Sequence, residues 1–412
     1  MLDLITGNEA IAWGARLAQV DYVPIYPITP QTEIVEKLSE WAANGLIRAR
    51  ITKMESEHSM ITAAGAAALA GARTFTATSS QGLLYAFEML YNVSGWRAPF
   101  VLANVSRGLA APLTLLPDHN DALAARDSGF LQFYAETCQE ALDSVLIAYR
   151  VSESRKVMLP SMVNIDGFYL SFTREKVMIP DELGDFLPPY PIPAISAGNM
   201  PSMGPTVLDP SVYSYFKYQM HLAQISALDE LKKAISDYEK VFGIKRSLID
   251  EYMAEDADYV IVMTSSFATM ARKAIKSIRE KGIKVGLIRP WVLRPFPRDD
   301  LLSALAGKRG AAVFDQDISP GFGGALHAEI ASSLYGAPDA PRIASFIGGL
   351  GGKEPTTEEF EFMIRELVSP DLTRRGPVML WTDKDQRILD EQRSIALRGG
   401  VIGRRSLYKD HP

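Results

Sequence analysis

Cysteine is almost absent: the 412 residues hold one, Cys138. A single thiol cannot close an internal disulfide, which excludes a disulfide-built secreted fold. It also cannot supply a Cys₄ iron–sulfur cluster or a multi-cysteine zinc site. An excess of basic charge is missing too. Lys and Arg number 43 against 49 Asp and Glu, a net charge of −6, so the chain as a whole offers no footprint for nucleic acid. No apolar run reaches the roughly 18 residues of a membrane-spanning helix; the longest, 60–71, is short and rich in Ala and Gly. The opening MLDLITGNEAIAWGARL lacks the basic and apolar regions of a secretory signal. The expectation is a soluble cytoplasmic protein with no membrane contact, in which the N-x-S sequons at Asn92 and Asn104 are chance matches. G-x-S-x-G, Walker A and a complete G-x-G-x-x-G are all missing, so a hydrolase elbow or a P-loop has no support.

Hydrophobic residues make up 47% and charged residues 22%, the balance of a globular chain, and the length predicts several domains. Through residue 165 strand patterns (22–25, 74–77, 100–105, 157–164) alternate with helical ones (7–19, 31–44, 57–71, 82–95, 139–150). That alternation predicts a parallel sheet covered on both faces. Residues 180–211 are crowded with proline and read as extended and irregular. Long polar helices are expected over 212–253. A second α/β unit starts near 257, with strands at 258–263, 284–288, 311–314 and 343–347. The division expected is an N-terminal α/β domain (1–180), a Pro-rich segment with connecting helices (181–256), a second α/β domain (257–383) and a charged tail (384–412).

Five stretches could carry chemistry, each with a plainer reading beside it. Pro27 and Pro30 make a rigid turn between strand and helix, presenting Thr29 where a helix N-terminus favours anions; a simple connector is the alternative. Glu57 opens an Ala-rich helix, either as a solvated first-turn carboxylate or as a partly buried one that bonds a heterocycle. Ser79, Ser80, Gln81 and Gly82 follow a strand, at the end where α/β sheets place ligands, though an N-cap serine accounts for them equally. Residues 107–129 bring Arg107, a fork suited to carboxylates, and a polar knot of Asp118, His119 and Asp121. That knot is a weak metal signal, and no metal site is expected in this chain. Gly321–Gly324 suits either a phosphate cradle or close packing of helix on strand.

In order along the chain stand GNEA (7–10), YPITPQT (26–32), ESEHS (55–59), GARTFTATSSQG (71–82), DH-x-D with ARDSG (118–129), MVNIDGF (162–168) and GFGGALHAE (321–329). Together they resemble the α subunit of the 2-oxoacid:acceptor oxidoreductases, the pyruvate:ferredoxin oxidoreductase family, over nearly the whole chain. The resemblance implies a pyrimidine-binding domain of thiamine diphosphate enzymes followed by a transketolase C-terminal-like domain. It implies that Glu57 bonds the aminopyrimidine of thiamine diphosphate, favouring the imino tautomer that takes the thiazolium proton. Pro27, Ile28, Ser80, Gln81 and Gly82 are the expected companions of the cofactor. Thr29 and Arg107 match positions that hold the substrate carboxylate, with Leu115, Leu116 and His119 as further substrate neighbours.

The diphosphate–Mg²⁺ motif of such enzymes, GDG followed by Asn, is absent, as are cluster cysteines. The resemblance therefore implies a hetero-oligomer: a β subunit brings the diphosphate and Mg²⁺ half, γ and ferredoxin-like subunits bring the iron–sulfur clusters, and coenzyme A is co-substrate. The apolar Thr114-Leu115-Leu116-Pro117 raises a bulkier acid, phenylglyoxylate or 2-oxoisovalerate, as an alternative to pyruvate. Two other classes compete: a non-catalytic scaffold subunit, which would need none of Glu57, Thr29 and Arg107, and a self-contained nucleotide-binding protein built on Gly321–Gly324.

Overall fold

The computed structural model describes residues 1–196, 198, 204–369, 376–381 and 383–398; parts of the Pro-rich segment and the tail beyond 398 lie outside them. A five-stranded sheet runs in the order Val292–Arg294, Leu131–Tyr134, Ser161–Asp166, Val101–Ser106, Phe75–Thr78. Its strands are parallel except Val292–Arg294, which pairs antiparallel with Leu131–Tyr134. The parallel strands are buried at every position, because helices cover both faces. The parallel pair Tyr22–Ile25 and Arg50–Lys53 lies alongside, joined through a parallel bridge from Tyr22 to Thr74 and by the Thr76 hydroxyl donating to the Pro24 carbonyl at 2.8 Å. The C-terminal ends of all these parallel strands therefore open at one edge.

The Ala-rich pattern after Glu57 forms helix Glu57–Leu69. Its small residues let a neighbour approach: a Cβ on Gly65 would lie 2.5 Å from Val93, on helix Phe87–Gly95. The helix expected over 82–95 is in fact two, Ser80–Tyr85 and Phe87–Gly95, meeting at Ala86. The antiparallel ribbon Leu2–Thr6 with Arg174–Met178 lies outside the strand patterns of the sequence. Its pairing partners are far apart in the chain. The long polar helices expected over 212–253 are one helix, Pro210–Phe242, capped by Asp209 and stopped by Gly243 in the left-handed region.

The second sheet is ordered Val378–Met379, Arg342–Ile347, Gly310–Asp315, Tyr259–Val262, Val285–Pro290, Ile249–Tyr252, with only the last antiparallel. The two units interlock. Ile249–Tyr252 precedes the expected start of the second unit yet belongs to its sheet, and Val292–Arg294 crosses back to the first. Trp291 between them is fully buried and donates its ring N–H to Ser144 at 3.1 Å. Arg289 forms a bidentate pair with Glu140. No described helix is long and apolar enough to cross a membrane.

Candidate active site

Along the shared strand edge, the segments after Ile25, Lys53, Thr78 and Ser106 meet. Ser56 caps the helix that begins at Glu57 by accepting from the Ser59 amide. Glu57 is buried, 5% exposed, and not the solvated first-turn carboxylate that its position alone would suggest. Burial pushes its pKa up, against a bond from its own backbone amide. Gly82 is what makes room for it: a Cβ there would lie 2.5 Å from Glu57 Oε1 and 2.7 Å from Thr78 Oγ1.

Ser79 is the N-cap of helix Ser80–Tyr85 by backbone, but its hydroxyl makes no capping bond. Ser80 sits in the left-handed region (φ 50°), and its hydroxyl lies 2.6 Å from Gln81 Oε1 and 3.1 Å from the Gly108 carbonyl. Arg107 is buried and donates from one terminal nitrogen to the Thr29 carbonyl and from the other to Gln81 Oε1, each at 2.6 Å. Burial lowers its pKa, partly offset by Asp121. Thr29 thus serves Arg107 through its backbone, while its side chain is exposed like Pro27; Ile28 is half-buried.

Four buried side-chain atoms in this cluster have no hydrogen-bond partner: Thr78 Oγ1, Ser79 Oγ, Gln81 Nε2 and Arg107 Nε. Leaving a buried polar atom unpaired costs about 1–3 kcal/mol. Four of them beside a buried carboxylate mark a site that a polar ligand completes. Glu57, Gln81 and the Gly82 cradle fit a flat, nitrogen-rich ring. Arg107 fits a carboxylate, since three of its five N–H donors remain after the two bonds above. Among the described residues no group of three or more His, Cys, Asp or Glu could hold a metal.

Three sequence expectations meet a different geometry. His119 does not face this cluster: its Nε2 lies 2.9 Å from Asp166 Oδ1, and its amide donates to the Gln316 carbonyl of the second unit. Asp166 Oδ2 accepts from the Ser266 amide at 3.0 Å and hydroxyl at 2.5 Å, so His119 is part of an interdomain latch. Leu115 and Leu116 lie on a surface loop, 47% and 37% exposed. Gly321–Gly324 has no free helix N-terminus for phosphate. The Leu326 and His327 amides donate to Asp315 and the Ala325 amide to Asp317, and a Cβ on Gly324 would fall 1.9 Å from Asp315 Cγ.

Other residues of the site went unnoticed in the sequence. Thr78 enters the sequence reading only within GARTFTATSSQG, and Asn104 only as a chance sequon. Asn104 is fully buried and donates to Ser106, Asp121 and Asn164. The available signal was a polar residue inside the apolar strand VLANVS. A cleft of about 720 Å³ between the two units, lined by Arg246, Arg272 and Arg289, shares no residue with this site. Its arginines are already paired with acidic side chains.

Two family models match the chain. Residues 13–240 match "Pyruvate flavodoxin/ferredoxin oxidoreductase, thiamine diP-bdg", and 257–360 match "Pyruvate:ferredoxin oxidoreductase core domain II". Pyruvate synthase subunit PorA of Methanothermobacter thermautotrophicus is 40% identical over 90% of this chain and 96% of its own length. The PorA of Thermotoga maritima is 36% identical over 96% and 97%. Ketoisovalerate oxidoreductase subunit VorA of Pyrococcus horikoshii is 38% identical over 88% and 93%. Among solved structures, 2-oxoglutarate:ferredoxin oxidoreductase from Magnetococcus marinus, with 2-oxoglutarate, coenzyme A and succinyl-CoA bound, has the same fold at 20% identity (TM-score 0.68), covering 89% of this chain and 65% of that one. An inactive split-gene transketolase tetramer aligns with TM-score 0.53 at 13% identity, over 88% of this chain and 98% of that one. With a thiamine-diphosphate-binding model over more than half its length and full-length relatives near 40% identity, the chain belongs to the pyruvate:flavodoxin/ferredoxin oxidoreductase family.

Proposed function

We propose that this chain is the α subunit of a multi-subunit 2-oxoacid oxidoreductase and contributes the pyrimidine half of a thiamine diphosphate site together with the grip on the substrate carboxylate. The observation that carries this reading is the buried Glu57 carboxyl against Gly82, with unpaired Thr78, Ser79, Gln81 and Arg107 atoms around the same turn. Thiamine diphosphate, when bound, supplies the carbon nucleophile that adds to a 2-oxo group and accepts the electron pair as CO₂ leaves. In this reading Glu57 holds a proton against a ring nitrogen, a role supported by the burial that pushes its carboxyl above the usual range. Gln81 and Ser80 form the polar wall of the turn. Arg107, fastened to Thr29 and Gln81, offers its free N–H edge to an anionic substrate.

The remaining machinery falls to other chains in this reading: a β subunit for the diphosphate and Mg²⁺, and γ and ferredoxin-like subunits for the clusters, since one cysteine holds none. Coenzyme A accepts the acyl group. Pyruvate is the favoured acid. The relatives at 40% identity are pyruvate synthase subunits, and the leucines that suggested a bulkier acid are exposed. A purely scaffolding role gives no reason for a buried carboxyl and unpaired donors on one edge.

The test is a complex purified through a tag on this chain and assayed for viologen reduction with pyruvate, coenzyme A and thiamine diphosphate; 2-oxoisovalerate and phenylglyoxylate run in parallel. Glu57→Gln keeps the shape and removes the acid. It is expected to abolish most turnover while the complex still assembles. Wild-type turnover from the assembled variant would discredit the cofactor assignment.

A further inference from the structure

Asp121 lies outside the cluster described above yet is bonded to both of its walls. It sits in the first turn of the short helix Asn120–Ala124 and is fully buried. Its Oδ2 accepts from the Ser80 amide at 3.0 Å, the Arg107 amide at 3.2 Å and Asn104 Nδ2 at 3.3 Å. Its Oδ1 accepts from the Ala122 amide at 2.7 Å. One carboxylate oxygen thus ties the turns that follow strands Phe75–Thr78 and Val101–Ser106. The first turn carries Gln81 and Gly82, and the second carries Arg107. Ser80, whose amide makes one of these bonds, adopts a positive φ, a conformation uncommon for a non-glycine residue.

We infer that Asp121 is a positioning residue for the carboxylate grip, holding the Arg107 guanidinium and the Gln81 amide in register through their backbones. The inference rests on the function proposed above. A scaffold would have little use for this arrangement. Burial and the neighbouring Asp118 raise the Asp121 pKa to about 6, against bonds from the Ala122, Ser80 and Arg107 amides. A charge held in such a place is costly unless it is needed there. Asparagine offers one acceptor oxygen where this site uses two, so its amide would face a backbone N–H on one side. Alanine removes every bond.

The experiment uses the purified complex with Asp121→Ala, Asp121→Asn, Arg107→Lys and the double variant Asp121→Ala/Arg107→Lys. Three quantities are read: pyruvate KM and kcat, the thiamine diphosphate Kd from protein fluorescence, and calorimetric binding of oxamate, an unreactive pyruvate isostere. A displacement near 1 Å at a reacting centre costs about 10²-fold. Asp121→Ala is therefore expected to lower kcat/KM about 100-fold, chiefly through KM, and to weaken oxamate in parallel. Asp121→Asn should fall between Ala and wild type. Thiamine diphosphate affinity should fall clearly less than oxamate affinity, because Asp121 also steadies the Gln81–Gly82 wall of the ring site but Glu57 hangs from a different helix. Adding Asp121→Ala to Arg107→Lys should cost no more than about twofold further, the scatter of additivity between independent sites.

Full multiplication of the two single effects would overturn the inference. So would equal loss of oxamate and thiamine diphosphate binding, which signals a general structural role. Should Asp121→Ala fail to assemble, Asp121→Asn decides alone: unchanged KM and oxamate affinity refute the positioning role. Each of these results leaves the function itself intact, since that stands or falls with Glu57→Gln.

Discussion

Gly82→Ala separates the chemistry of this site from its stability. Gly82 is buried inside helix Ser80–Tyr85 with an ordinary φ, so alanine suits the backbone and contributes up to about 1 kcal/mol of helix propensity. The added methyl would stand 2.5 Å from Glu57 Oε1 and 2.7 Å from Thr78 Oγ1. Both obstacles are side-chain ends, and the fold can yield by moving them. To reach an ordinary contact of 3.4 Å, the Glu57 carboxyl must retreat about 0.9 Å. Overpacking typically costs about 1–3 kcal/mol, offset by at most about 1 kcal/mol of helix propensity, so the melting temperature should move by only a few degrees. A displacement of this size at a reacting group costs about 10²-fold, close to 2.7 kcal/mol of barrier. The assay is pyruvate-dependent viologen reduction by the purified complex, with thermal melts beside it. Gly95→Ala is the control, since a Cβ there meets nothing within 4 Å; it should leave turnover unchanged and move the melt by no more than the same helix term. If Gly82→Ala keeps kcat/KM within about twofold of wild type while melting normally, the placement of Glu57 at the reacting centre is wrong.

Two further outcomes follow from buried carboxylates. Gly324→Ala drives a methyl into the Asp315 carboxyl, 1.9 Å from its Cγ, where that group is wedged against the amides of helix Ala325–Leu334. It should destabilise by about 1–3 kcal/mol or more, and a melt within a degree of wild type would contradict the packing described. Stability should also fall as pH rises from about 4 to about 7. Burial holds the folded pKa of Asp121 and Asp317 up near 6. A carboxyl raised in the folded state favours folding while protonated, and that advantage is lost as pH climbs through its folded value. His119 acts in the same direction: burial opposes its proton, but Asp166 prevails and raises its pKa, so its contribution is present below about 6.5 and lost above the raised value. Asp166, lowered by His119 and Ser266 against burial, stays ionised throughout this window. A melting temperature that climbs across the same range would reverse the sign of this account.

Helix and strand alternation, the rigid Pro27–Pro30 turn and the close-packing glycines are local features of composition and period, and they were legible without coordinates. The motif order from GNEA to GFGGALHAE also sufficed to recognise the family. What the chain could not reveal locally is which polar residues share a site. Asp121 reaches the Ser80 amide across 41 residues and the Arg107 amide across 14, and Arg107 reaches Thr29 across 78. No period of 2 or 3.6 residues encodes such distances. Tertiary packing alone buries Glu57 instead of leaving it as a solvated helix-start carboxylate, because Gly82 arrives from another strand's turn to make room. The same packing turns His119 away from the substrate edge toward Asp166 and Ser266, and it fills the glycine-rich helix start with Asp315 and Asp317. Sequence determined which groups were available. The folded sheets decided which were buried, which were paired and which were left open to a ligand, because desolvation and hydrogen-bond geometry act through space and not along the chain.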